Sequence, residues 1–184
     1  MSPTLPAELQ QLIDRQQIHD CILRYCSGVD CFDREMLLSV YHPDAVDDHG
    51  SFVGSAAQFV DWAFAYHEKY QHTHKHYVLN HRCDLEGDTA HTETYWLFAG
   101  NNKLGPAASI HGGRYLDRFE KRAGRWAIAA RKCIIEWGGA LGDIPVPPEA
   151  LAAFAATGVA LRSKNDPSYQ RPLTVTRAPA VQPF

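Results

Sequence analysis

The chain has 184 residues, of which 45% are hydrophobic and 11% aromatic, enough for one domain with its own core. A net charge of −3, with no run of Lys or Arg to follow a phosphate backbone, argues against nucleic acid as a partner. No apolar stretch approaches the roughly 18 residues of a bilayer span and no leader-like pattern opens the chain, so no membrane partner and a cytoplasmic location are expected. The cysteines Cys21, Cys26, Cys31, Cys83 and Cys133 are odd in number and form no Cys-x-x-Cys pair. They read as reduced core residues rather than a disulfide or zinc framework.

In chain order, Pro6 to about Ser27 reads as a helix, because Ile18, Cys21, Ile22, Tyr25 and Cys26 form one apolar stripe. Gly28 is its expected terminator. Asp33 caps a second, shorter helix to about Tyr41, which His42-Pro43-Asp44 ends. Ala45 to His49 reads as a short strand, and Ser55 caps a third helix through about Tyr70 that carries Phe59, Val60, Trp62, Ala63 and Phe64.

The period then changes from helical to alternating. Four strands are expected, at His74 to Leu85, Thr89 to Asn101, Ala108 to Lys121 and Arg125 to Trp137. Their short Gly-containing connections imply an antiparallel meander. Gly138 to Pro148 reads as an irregular link, Glu149 to about Thr157 as a short helix, and the rest as a polar, proline-punctuated tail. The division expected is a domain over 1–140 and a segment over 141–184 that packs on the domain or on a neighbouring subunit. Helices first and long strands after them define an α+β cone, with a strongly curved antiparallel or mixed sheet packed against the N-terminal helices and enclosing a pocket.

The stretch Gln71 to Asn80 carries His72, His74 and His76 on alternate positions, one face of a strand if the stretch is extended. Three readings fit it: a metal site with help from His49 or His111, a proton-transfer site, or a solvated strand start. His76 lies deepest in the strand. Asp30 follows the apolar stripe of the first helix, and a buried carboxylate there needs an imidazole or guanidinium partner. Arg131 interrupts an apolar strand on the face of Cys133, Ile135 and Trp137, where it either bridges an acidic residue or serves the pocket.

Tyr25 and Asp30, His42 to Ala45, His76-Tyr77-x-x-Asn80, Gly87-Asp88-x-Ala90-x-x-Glu93-Thr94-Tyr95 and Gly112 to Trp126 together resemble the SnoaL-like family of the nuclear transport factor 2-like superfamily. The resemblance covers roughly residues 7 to 137. The polar positions are similar to those of scytalone dehydratase, bile acid 7α-dehydratase and hexachlorocyclohexane dehydrochlorinase. It implies a catalytic set of His76, Asp30, Tyr25 and Arg131, with His49, Tyr95, Asn101, Asn80 and Trp137 toward the substrate. His49 stands where scytalone dehydratase has a tyrosine.

What the resemblance implies is a cofactor-independent lyase in which His76 is the base, Asp30 orients it, and Tyr25 and Arg131 stabilise developing charge. The expected substrate is a small hydroxylated aromatic, polycyclic or steroid-like compound that loses water, or an aryl propanediol that releases formaldehyde. No metal and no cofactor are expected, and the family implies a homodimer or homotrimer. An isomerase or cyclase on the same scaffold, or a non-catalytic small-molecule-binding module, is the alternative.

Overall fold

The computed structural model describes residues 6–142 and 147–178. Helix α1 (Ala7–Asp30) and helix α2 (Arg34–Ser39) lead into strand β1 (Tyr41–Asp48), the short β2 (Val53–Ser55) and helix α3 (Ala56–Tyr70). Four long strands follow: β3 (Gln71–Glu86), β4 (Thr89–Asn102), β5 (Ala108–Arg122) and β6 (Arg125–Leu141). A last helix, α4 (Pro148–Ala155), and one 3-10 turn (Pro167–Tyr169) complete the described elements. The strands form one sheet in the order β2-β1-β6-β5-β4-β3. All neighbours are antiparallel except β1 and β6, which run parallel. This is the α+β arrangement expected, with the helices against one face of a mixed sheet.

Local chemistry explains the element ends. Asp33 Oδ1 accepts from the Met36 amide at 3.1 Å and starts α2. Ser55 and Gln58 form a reciprocal capping box that starts α3, and that helix runs to Tyr70 as its pattern predicts. Gly28 does not end α1, which continues to Asp30. Its bare Cα serves packing instead: a Cβ there would lie 2.9 Å from Leu37 Cβ and 3.0 Å from the Leu37 backbone, so Gly28 lets α2 lie against α1. The real stop is Phe32, whose φ of 54° leaves the helical region.

The stripe Ile18, Cys21, Ile22, Tyr25, Cys26 and Val29 packs with Phe59, Phe119, Trp126 and Ile128 into a continuous core. Each such side chain contributes about 1.5 to 3 kcal/mol by leaving water. On β4 the residues Ala90, Thr92, Thr94, Trp96 and Phe98 face in and their neighbours face out. The link expected at Gly138 is strand as far as Leu141, because β5 pairs with it from Ala108 to His111. Residues 143–146 of that expected link lie outside the described residues. Further on, Lys164 Nζ and the Tyr169 hydroxyl donate to Asp33 Oδ2 at 2.5 and 2.6 Å, and the Arg162 guanidinium sits 4.6 Å from the Phe32 ring centroid. The segment after α4 therefore packs over the turn between α1 and α2.

Candidate active site

Sheet curvature and α3 enclose a cavity of about 200 Å³. Its wall is aromatic, from Phe59, Trp62, Tyr66, Trp96, Phe98 and Tyr115, and its polar lining includes Tyr25, His49, His67, Gln71, His76 and His111. A wider surface depression of about 450 Å³ beside Gln17, Arg24 and Arg125 lies on the outer side of α1 and carries none of these groups.

Asp30, the last residue of α1, reaches β3. Its Oδ1 lies 2.7 Å from His76 Nδ1, and its Oδ2 accepts from the His76 backbone amide at 3.0 Å. A carboxylate at a helix C-terminus opposes the macrodipole, and these two donors offset that. Because the carboxylate accepts, Nδ1 of His76 carries the proton and Nε2 is left as the free ring nitrogen of a residue that lines the cavity.

His74 is not a surface residue. It is 3% exposed, and its Nε2 lies 3.5 Å from Asp30 Oδ1. Its Nδ1 faces Arg162 Nη2 at 3.1 Å. A guanidinium only donates, so Nδ1 holds the lone pair and Nε2 the proton. Burial, His67, His76 and Arg162 push its pKa well below the usual value and keep it neutral. His67 stacks on it with ring centroids 3.9 Å apart, donates from Nδ1 to Gln71 Oε1 at 3.0 Å, and is pushed down to about 3 by burial and by His76.

Ligand atoms of Asp30, His74 and His76 lie within 4.8 Å of one another, the one such group of three among the described residues. With His76 Nδ1 bonded to Asp30 and His74 Nε2 facing it, both ring nitrogens carry protons, so a metal there would have to displace them. His72 is exposed and takes no part, because the pairing with β4 slips between Gln71 and Thr73.

Tyr25 and His49 meet at the other side of the cavity, with Tyr25 Oη 3.2 Å from His49 Nε2. Burial pushes the Tyr25 phenol well above its ordinary pKa, with Arg131 pulling it partly back, so it keeps its proton. Arg131 itself does not line the cavity. Its Nε and Nη2 pair with both oxygens of Asp117 at 2.7 Å, and its guanidinium lies between the Tyr25 and Tyr115 rings, 4.1 and 4.2 Å from their centroids. Asp117 stands directly opposite Arg131 in the β5–β6 register, and that fixes the pairing. Burial opposes the Arg131 charge, but the Asp117 carboxylate outweighs it and holds the pKa up. The arginine is thus the acid-bridging residue of the two readings, one layer behind the cavity wall.

Four of the five residues expected to meet substrate are not brought to the cavity. Asn80 is exposed because the β3–β4 pairing slips between Val78 and His81, which turns it off the face of His76. Tyr95 falls on the outward parity of β4 and is 42% exposed. Asn101 has the same parity, and its neighbour Asn102 is the residue that reaches Gln71, at 3.5 Å. Trp137 pairs with Gly112 where β5 and β6 slip, and it lies against that glycine half exposed. His49 alone of the five lines the cavity. Asp47 and His67 were missed, although Phe59, Ala63 and His67 follow the helical four-residue spacing and Asp47 and His49 the two-residue strand spacing, while His74 and His111 were considered only for a metal site.

A six-stranded mixed sheet backed by N-terminal helices is the architecture of the nuclear transport factor 2-like cone fold. A SnoaL-like domain model matches residues 10–132, and the chain belongs to that family. No curated protein matches the sequence at a significant level. Among solved structures, LinA superposes with a TM-score of 0.72 at 23% identity, over 78% of this chain and 99% of its own. A type 2 hexachlorocyclohexane dehydrochlorinase gives 0.71 at 23%, over 77% and 99%. A candidate scytalone dehydratase from Novosphingobium aromaticivorans gives 0.64 at 16%, over 75% and 94%. At these identities the likeness is one of fold.

Proposed function

We propose that the protein is a lyase that needs no cofactor, in which His76 removes a proton beside an activated carbon and a hydroxyl departs as water. The observation that carries this reading is the two-point grip of Asp30 on His76 at the wall of an aromatic cavity. Asp30 keeps the proton of the resting imidazole on Nδ1 and stabilises the imidazolium once Nε2 has accepted. The carboxylate stays unprotonated throughout. Tyr25 presents a protonated phenol to a developing oxyanion or to the leaving oxygen, and the Arg131 charge behind its ring favours negative charge on that phenol oxygen.

The aromatic lining, and a volume below the usual range of ligand sites, favour a compact hydroxylated aromatic substrate. The names of two of the structural relatives, a dehydrochlorinase and a dehydratase, both describe eliminations. The same groups serve release of formaldehyde from an aryl propanediol, where the base takes the terminal hydroxyl proton, the C–C bond breaks to free formaldehyde, and its electron pair forms a C=C bond as the benzylic hydroxyl, protonated by the acid, leaves as water.

A panel of aryl β-hydroxy ketones, aryl propanediols and chlorinated cyclohexanes, followed by absorbance of the new conjugated double bond and by formaldehyde assay, tests the proposal. Conjugated product with or without formaldehyde supports a lyase. Binding of these compounds without any product points instead to a binding module.

A further inference from the structure

Asp47 lies near the end of β1 and His49 is the residue just past the strand end, two positions on, and both turn inward. Asp47 is fully buried; its Oδ1 accepts from His49 Nδ1, and its Oδ2 accepts from the Tyr41 hydroxyl at 2.6 Å. The other nitrogen of the same imidazole, Nε2, faces Tyr25 Oη at 3.2 Å, and both His49 and Tyr25 line the cavity. The construction repeats the one at His76: a buried carboxylate fixes Nδ1 and leaves Nε2 for the cavity side.

The two constructions lie far apart in the sheet, since β6, β5 and β4 separate β1 from β3. They hang from one helix. Tyr25 and Asp30 are five residues apart on α1, about 7.5 Å along its axis, so the helix sets the spacing between them.

We infer that Asp47, His49 and Tyr25 form a second proton-transfer unit that delivers a proton to the departing group opposite the His76 base. This rests on the lyase reading of the cavity. Tyr25 and His49 are the catalytic residues of the unit, and Asp47 is its positioning residue. In the step, the C–H bond breaks and its proton goes to His76 Nε2, while its electron pair forms the new C=C bond. The C–O bond breaks, its electron pair leaves with oxygen, and the Tyr25 phenol proton joins that oxygen to release water. The Tyr25 phenolate then regains a proton that solvent supplies by way of His49 Nε2, and His76 Nε2 gives its proton to solvent, so both imidazoles end in their starting states. No oxidant or metal enters the balance.

Alternatives for the acid are weaker on geometry. Arg131 is committed to Asp117 behind the wall, and the His67 Nδ1 proton is engaged by Gln71. Two carboxylate-oriented imidazoles in one cavity give an elimination separate groups for the departing proton and the departing hydroxyl, and neither has to change role within a turnover.

The test has two arms on the full chain. In the first, histidine ring N–H signals are read by NMR without any substrate. The wild type is expected to show a low-field Nδ1–H signal from His49 that Asp47→Asn removes and Asp30→Asn leaves in place; absence of that signal, or an Nε2–H tautomer at His49, overturns the inference. The second arm compares an aryl β-hydroxy ketone, whose hydroxyl needs protonation, with its β-acetoxy counterpart, whose acetate leaves without it. His49→Gln is expected to slow the hydroxy compound about 100-fold or more and the acetoxy compound less than tenfold. Equal loss on both, or loss on neither, overturns the inference. His76→Gln should slow both, and if it slows neither, the lyase reading itself fails. If the wild type turns over neither probe, the NMR arm alone decides whether the second unit exists.

Discussion

Asp30 and His76 are joined at two points, with one carboxylate oxygen 2.7 Å from the imidazole Nδ1 and the other accepting from the same residue's backbone amide at 3.0 Å. A single contact would leave the ring free to tilt. The second ties the carboxylate to the strand itself, so the end of α1 and the middle of β3 move as one piece.

The Arg131 and Asp117 pair should matter more to stability than to chemistry. Both side chains are at most 3% exposed, and breaking such a pair by removing one partner costs about 3 to 5 kcal/mol because the other charge is stranded. Arg131→Met is expected to lower denaturant stability by that amount, and pairing it with Asp117→Leu should recover most of the loss. A single variant as stable as the wild type would contradict the pairing.

Gly28→Ala tests how α1 and α2 are held together. Helix propensity favours the alanine by about 1 kcal/mol, but its methyl would press on the Leu37 backbone at 3.0 Å, and overpacking of this kind costs about 1 to 3 kcal/mol. The clash should win. A net loss of stability in a thermal melt, together with reduced turnover as Asp30 shifts two residues away, is the expected result.

Burial depresses the pKa of His67 to about 3 and holds that of His74 well below its usual value. The unfolded chain binds protons at these residues below about pH 6.5 and the folded one does not, so stability falls as pH falls through that window. Two such histidines contribute about 3 to 4 kcal/mol of loss between roughly pH 6.5 and 5, above the range where carboxylates titrate. Denaturant midpoints across those values should show the slope, and His67→Leu should reduce it; an unchanged slope in the variant would remove His67 from the account.

Much of this arrangement was legible along the chain. The Ser55 cap and the meander rest on local chemistry and on patterns that single elements display by themselves, whereas the Asp30 and His76 pair joins two elements and was implied only by the family resemblance. What was misread depends on a partner strand. Asn80 and Trp137 follow the correct two-residue parity until a slip in pairing turns them away, and no feature within β3 or β6 alone announces that slip. Arg131 was recognisable as out of place on an apolar strand, but its partner is set by cross-strand register with Asp117. Nothing near His74 in the chain announces its burial, since the ring stacks on His67 and faces Arg162, nearly 90 residues later in the chain.

The most direct measurement of the central claim is turnover of an aryl β-hydroxy ketone by the wild type, Asp30→Asn and His76→Gln, with folding of each variant checked by its thermal melt. The account predicts loss of about 100-fold or more in kcat for His76→Gln and a comparable loss for Asp30→Asn, which leaves the imidazole in the wrong tautomer. Folded variants that turn the compound over within a few-fold of the wild type would contradict it.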